Sequence, residues 1–95
     1  MSKLKTSKQI ERHFKGIANH HRIDILIFVD KNHNATVDDL AVGLNANFKT
    51  ISEHTRRLVQ AGLLNKSYKG RFVANSLSPY GKQVVKFIKL FQTIS

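Results

Sequence analysis

The sequence predicts a mainly α domain, about five helices plus a small two-stranded β-hairpin, as one unit over residues 1–95. Three observations predict it. Apolar residues recur at helical spacing in five stretches, each opened by a Ser, Thr or Asn suited to cap a helix. Between Leu63 and Leu77 the pattern changes to two short strand-like runs around a glycine-containing loop. A chain of 95 residues has no room for a second core.

Met1 to Thr6 reads as a mobile basic arm. Ser7 is a candidate N-cap for a first helix to about Ala18, with Ile10, Phe14 and Ile17 on one stripe and Gly16 weakening its end. Asn19 can cap a second helix, HHRIDILIFVDKN, in which Ile23, Leu26, Ile27 and Val29 or Phe28 make it apolar nearly all round. Such a helix belongs at the centre of a core. After a polar loop from Lys31 to Ala35, Thr36 opens a third helix with Asp39 three residues on, close to a capping box. Val37, Leu40, Ala41 and Leu44 are its inward positions.

The brief linker Asn45–Ala46 leads to the stretch on which the function depends, Asn47 to Leu64. Asn47 can accept hydrogen bonds from the first free amides, and Gly62 stands where a left-handed C-terminal cap is wanted. Ile51, Thr55, Leu58 and Val59 form the buried stripe, leaving Lys49, Thr50, Ser52, Glu53, Arg56 and Arg57 outward. Leu63 to Tyr68 and Phe72 to Leu77 follow as strands around Lys69-Gly70-Arg71, a basic hairpin tip with Lys66 beside it. Ser78-Pro79 starts the last helix, since Ser caps and Pro tolerates the first helical position. That helix runs to about Thr93 and carries more apolar surface than one edge helix can bury. The two terminal helices, through Ile10, Phe14, Ile17, Phe87, Phe91 and Ile94, are therefore the candidate homodimer interface. The competing reading is that both simply complete a monomeric core.

Charge narrows the function. The net charge is +10, divided as +4 over residues 1–15, −2 over 16–46, +5 over 47–75 and +3 in the tail. Positive charge thus gathers on the polar helix, the hairpin and the N-terminal arm, the footprint of a polyanion-binding face. The basic middle lacks the broad apolar face that membrane binding needs, and no apolar run is long enough to cross a bilayer. There is no cysteine, which excludes disulfides, thiolate metal sites and cysteine redox sensing. The polar start is unlike a signal peptide, so a cytoplasmic protein is expected.

Two helices joined by a very short turn, the second basic and polar on its free face, make a helix-turn-helix. A cationic hairpin directly after the second helix is a wing. The chain is thus expected to be a winged helix-turn-helix that binds double-stranded DNA. Asn47, Lys49, Thr50, Ser52 and Glu53 would lie toward base edges, with Arg56, Arg57, Lys66, Lys69, Gly70 and Arg71 toward the backbone. An interaction module, or a nucleic-acid binder without operator recognition, is the alternative from another class.

Several stretches resemble the ArsR-type winged helix-turn-helix repressors, over roughly Phe14 to Phe91. They are Ala18-Asn19-His20-His21-Arg22-Ile23-Asp24-Ile25-Leu26, Thr36 to Ala41, Thr50 to His54 with Leu58, Ala61-Gly62-Leu63-Leu64, and Gly70-Arg71 with Leu77. The resemblance implies a homodimer that represses transcription at a palindromic operator, with Lys49, Thr50, Ser52 and Glu53 at the groove-reading positions. The departures also matter. Thr36 and Asp38 stand where metal-sensing members have a Cys-x-Cys pair, and the last helix has neither Asp nor His. Thr55 replaces a usual leucine and Asn75 a frequent tyrosine, two changes expected to loosen packing without threatening the fold.

Five histidines remain, and nothing in their spacing brings three or four together from different segments. His20 and Asp24 share one helix face, His13, His21 and His33 lie in or near terminal turns, and His54 reads as a partly buried packing residue. No nucleophile, base and acid group together, and no glycine loop cradles phosphate. No metal, cofactor, enzymatic activity or small-molecule effector is therefore expected.

Overall fold

The computed structural model describes residues 3–93. Met1 and Ser2 of the predicted arm, and Ile94 of the predicted dimer face, lie outside the described residues. Five helices and one hairpin follow in order: α1 (Ser7–Ile17), α2 (His20–Lys31), α3 (Val37–Gly43), α4 (Phe48–Gln60), β1 (Leu64–Lys69), β2 (Phe72–Leu77) and α5 (Pro79–Thr93). No helix among the described residues is long and apolar enough to cross a membrane.

Most elements begin where the capping residues place them. Asn19 accepts from the amides of His21 and Arg22, and Thr36 forms a full capping box with Asp39. Asn47 accepts from the Thr50 amide at 3.2 Å. The first helix differs by one residue: its N-cap is Thr6, in a capping box with Gln9, and Ser7 is the first helical residue. Thr6 therefore belongs to the fold and not to an arm. Lys5 is also engaged, its Nζ lying 4.0 Å from the centre of the Tyr80 ring.

The short turn between α3 and α4 depends on Asn45, whose φ is +50°. This left-handed residue lets the Asn45 amide reach the Val42 carbonyl and the Ala46 amide reach Ala41, closing α3 in a Schellman motif. An Asn is among the few residues apart from glycine that tolerate this conformation.

α2 is the core helix. Ile25, Leu26 and Val29 are fully buried, packed with Leu40, Ile51, Leu58, Leu63 and Val85. Ile23, Ile27 and Phe28 are half-buried against that cluster, so the buried stripe is one residue away from the Ile23–Ile27 line. In the hairpin Lys69 pairs with Phe72, which makes Lys69 the last residue of β1 and leaves Gly70–Arg71 as a two-residue turn. Gly70 has φ +61°, as the first position of such a turn requires. Asn75 is tethered through its donors, although its Oδ1 is buried without a partner among the described residues. The residue is buried, and both its amide and its Nδ2 donate to the Ala35 carbonyl, at 2.9 and 3.0 Å, fastening β2 to the residue before the α3 cap.

The end of α4 is tied to three other segments. Gly62, at φ +77°, lets its own amide reach Val59 and the Leu63 amide reach Leu58. Arg12 of α1 donates to the Gln60 carbonyl at 2.5 Å, and the His13 Nδ1 donates to Ala61 at 2.7 Å. The buried Ser78 hydroxyl donates to the Gly62 carbonyl at 2.6 Å while accepting from the Gly81 amide at 3.0 Å. Its own amide donates to Leu63. Ser78 thus caps α5 and anchors it to the end of α4.

The predicted stripe of α4 is inward, with Ile51, Thr55 and Leu58 buried and Val59 half-buried. Thr55 is the weak point, since its hydroxyl is buried with no hydrogen-bond partner. Thr55→Val keeps the shape and removes the unmet polar group, which should stabilise the fold by about 1 kcal/mol. In a domain of this size that corresponds to a Tm rise of roughly 4–8 °C, measurable by thermal unfolding. A lower Tm for Thr55→Val would show that the hydroxyl finds an acceptor in solution.

Candidate nucleic-acid interface

α4 presents one continuous outward face. Asn47, Lys49, Glu53, Arg56 and Arg57 are exposed, and Thr50 and Ser52 are half-buried at the first turns. Glu53 organises the middle of the face. It takes Arg56 in a two-point pair, at 2.6 and 3.1 Å, and Arg57 at 3.1 Å. The Arg56 hydrogen bonds, followed by those of Arg57, hold the Glu53 carboxyl below its ordinary pKa, and Glu53 raises Arg56 in return. Both arginines thus lie along the helix surface, paired with Glu53. Phe48, the first residue of α4 and absent from the sequence-predicted site, is 52% exposed beside Asn47 and Lys49.

On the hairpin, Lys66, Lys69, Gly70 and Arg71 are all exposed, and none of these cations pairs with a carboxylate among the described residues. Tyr68 and Phe72 stand exposed at the same tip, at 78% and 64%.

The terminal helices divide their apolar residues. Ile10 and Phe14 of α1 and Phe87, Leu90 and Phe91 of α5 are exposed, and the Phe87 and Phe91 rings meet edge to face at 4.7 Å. Ile17 is different, half-buried against the core of its own chain. α1 packs on α2 and α4, and meets α5 through the His13 and Tyr80 rings, 5.0 Å apart.

The structure brings three histidines together across segments, which their spacing did not indicate. His20 and His21 at the start of α2 lie 4.1 Å apart by ring centres, and His21 stacks on His54 of α4 at 5.1 Å. His13, in turn, sits in mid-helix with its ring bonded to the Ala61 carbonyl. No group of three or more His, Asp or Glu among the described residues is arranged to hold a metal ion. Burial first, then the nearby Arg22 and His21, hold the His54 pKa below the usual imidazole range, with Glu53 opposing and His20 adding to the depression.

A short-turn helix pair, a polar basic second helix and a cationic hairpin behind it define a winged helix-turn-helix. No protein-family model matches the sequence, and no curated protein matches it. Solved structures do. HlyU from Vibrio cholerae is 27% identical over 94% of each chain, with a TM-score of 0.77. Its reduced form is 24% identical over 93% of each chain, with a TM-score of 0.81. The homodimeric winged helix-turn-helix DNA-binding domain of a possible ArsR-family regulator from Mycobacterium bovis is 19% identical, covers 97% of this chain and 90% of its own, and has a TM-score of 0.79. The architecture is that of the ArsR-type winged helix-turn-helix regulators, as the motifs from Ala18 to Leu77 imply.

The histidine stack generates a pH prediction. The unfolded chain binds a proton at the ordinary imidazole pKa, about 6.5, whereas folded His54 binds it only at lower pH. Stability present above about 6.5 is therefore lost as pH falls through the window beneath that value. His54→Gln should flatten this acid limb, read as a smaller Tm drop between about pH 7.5 and about pH 5.5. An unchanged drop would remove His54 as its source.

Proposed function

We propose that the protein is a homodimeric transcriptional regulator that binds double-stranded DNA sequence-specifically and represses from a palindromic operator. The observation that carries this is the α4 face. Its N-terminal turns offer Asn47, Lys49, Thr50 and Ser52, and its arginines are held in place by Glu53. A helix entering the major groove meets base edges with its first turns and phosphates with its flanks. The cations at the wing tip suit the adjacent backbone or a narrow minor groove. The regulators of known structure that this chain resembles support the same reading, and one of them is a homodimeric DNA-binding domain.

For the dimer we propose Ile10, Phe14, Phe87 and Phe91, with Ile94 beyond the described residues and Ile17 contributing only its open edge. Exposed aromatics on a chain this small are best covered by a second copy. Phe91→Glu would place a charge in that contact and convert the dimer to monomer in sedimentation. A wild-type monomer overturns the dimer, and a dimeric Phe91→Glu protein overturns this face.

Reading and holding separate in a second experiment, a titration on operator and scrambled duplexes across several salt concentrations. Thr50→Ala should cost about 1–3 kcal/mol on the operator and little on scrambled DNA. Arg71→Ala should weaken both by similar factors and reduce the salt slope by about one unit. Equal losses for Thr50→Ala on both duplexes would remove Thr50 as a reader. A wild-type protein without preference among duplexes would replace operator recognition with nonspecific binding.

A further inference from the structure

We propose that the cleft between α1, the start of α2 and the end of α4 binds a phosphate-type oxyanion through Arg12, Lys15, Arg22 and Arg57. The cleft has a volume of about 320 Å³, and three helices converge on it. Its floor is the crossing of Gly16 and Ala61, so close that a Cβ on Gly16 would collide with the Ala61 side chain. Four cations line one small space. Glu11 pairs with Lys15 at 3.8 Å and Glu53 with Arg57 at 3.1 Å. Arg12 and Arg22 pair with no carboxylate among the described residues. A local excess of two positive charges remains, matching a phosphate dianion.

Arg22 is the least explained of the four. It is half-buried, its Nε is shielded from solvent with no hydrogen-bond partner, and the residue lines the cleft. No carboxylate among the described residues answers this guanidinium, and an unmet buried N–H is a group that a bound anion can satisfy. Guanidinium forks also match phosphate oxygens in two-point geometry. The negative end of α4 borders the cleft and would repel an anion, but Arg12 and His13 already occupy the Gln60 and Ala61 carbonyls. Arg57 is shared with the outward face of α4, whereas Arg12, Lys15 and Arg22 lie on neither that face nor the wing, so the cleft adjoins the groove-reading surface without coinciding with it. The phosphate could belong to a DNA backbone passing beside α4 or to a free phosphorylated small molecule.

The test titrates inorganic phosphate into the 95-residue protein against sodium chloride of matched ionic strength, following backbone amide shifts by NMR. Saturable shifts centred on Gly16, Arg22 and Ala61, seen with phosphate and not chloride, are expected. Arg22→Gln should weaken this binding about tenfold, the loss of one charge-assisted contact. Lys15→Gln, on the exposed rim, should weaken it less and keep the fold intact if Arg22→Gln does not. A scrambled duplex then identifies the source. If Arg22→Gln also lowers the salt slope of duplex binding by about one unit, the phosphate is that of DNA. If duplex binding is unchanged, the ligand is a free phosphorylated molecule. Unsaturable shifts spread over every basic surface, or equal binding by wild type and both variants, overturn the site. The phosphate titration decides this even if the protein shows no operator preference.

Discussion

The rest of the structure depends on how the carbonyls at the end of α4 find partners. A helix leaves its last carbonyls without intrahelical donors, and a buried end cannot leave them unmet. Here every carbonyl from Arg57 to Leu63 has one. Arg57, Leu58 and Val59 accept from the helix's own cap, Gln60 and Ala61 from α1, and Gly62 and Leu63 from Ser78. One accounting requirement thus fixes four elements around the same point: α4, α1, the start of the hairpin and the start of α5. Gly81 extends the constraint, since a Cβ there would collide with the Leu63 carbonyl. The orientation of the outward α4 face follows from this joint more than from the surface charges themselves.

Where a local rule decides an element, the sequence was legible. Asn19, Thr36, Asn47, Ser78 and Gly62 each act at the position their chemistry indicates. The Ser7 cap was misplaced because two adjacent hydroxyl residues compete, and Thr6 wins through Gln9, a box present in the sequence but not used. Asn45 has the look of a plain linker residue in the sequence, although a left-handed Asn is what so short a turn needs. The hairpin loop is one residue shorter than the sequence predicts, because period alone does not locate the last paired residue.

What local rules could not supply came from tertiary contact. Asn75 looked like a poor substitute for an aromatic residue, yet its two donors meet a single carbonyl 40 residues away in the chain. The histidine stack joins consecutive residues of α2 to His54, and no periodicity records that encounter. The outward residues of α4 were legible as a face, whereas their internal pairing through Glu53 was not. A carboxylate among cations is a choice between screening a polyanion site and ordering it. The two-point Arg56 contact orders it, restricting side chains that would otherwise lose rotamer freedom on binding.

α1 is the element through which the remaining features communicate. One of its faces carries exposed Ile10 and Phe14 toward the proposed partner copy. Its other face carries Arg12, His13 and Gly16, which bond to or pack against the last turn of α4. The cationic cleft lies between that face and Arg22 at the start of α2. A displacement of α1 therefore cannot leave α4 untouched, because the Gln60 and Ala61 carbonyls would lose the donors they have among the described residues. Losing the part-buried Ala61 partner costs on the order of 1 kcal/mol, within the range of coupling energies by which one ligand alters the affinity of another, and losing the exposed Gln60 partner costs less. An anion held jointly by α1, α2 and α4 would act on this same contact, strengthening or weakening the hold of α1 on the groove-reading helix without touching the groove.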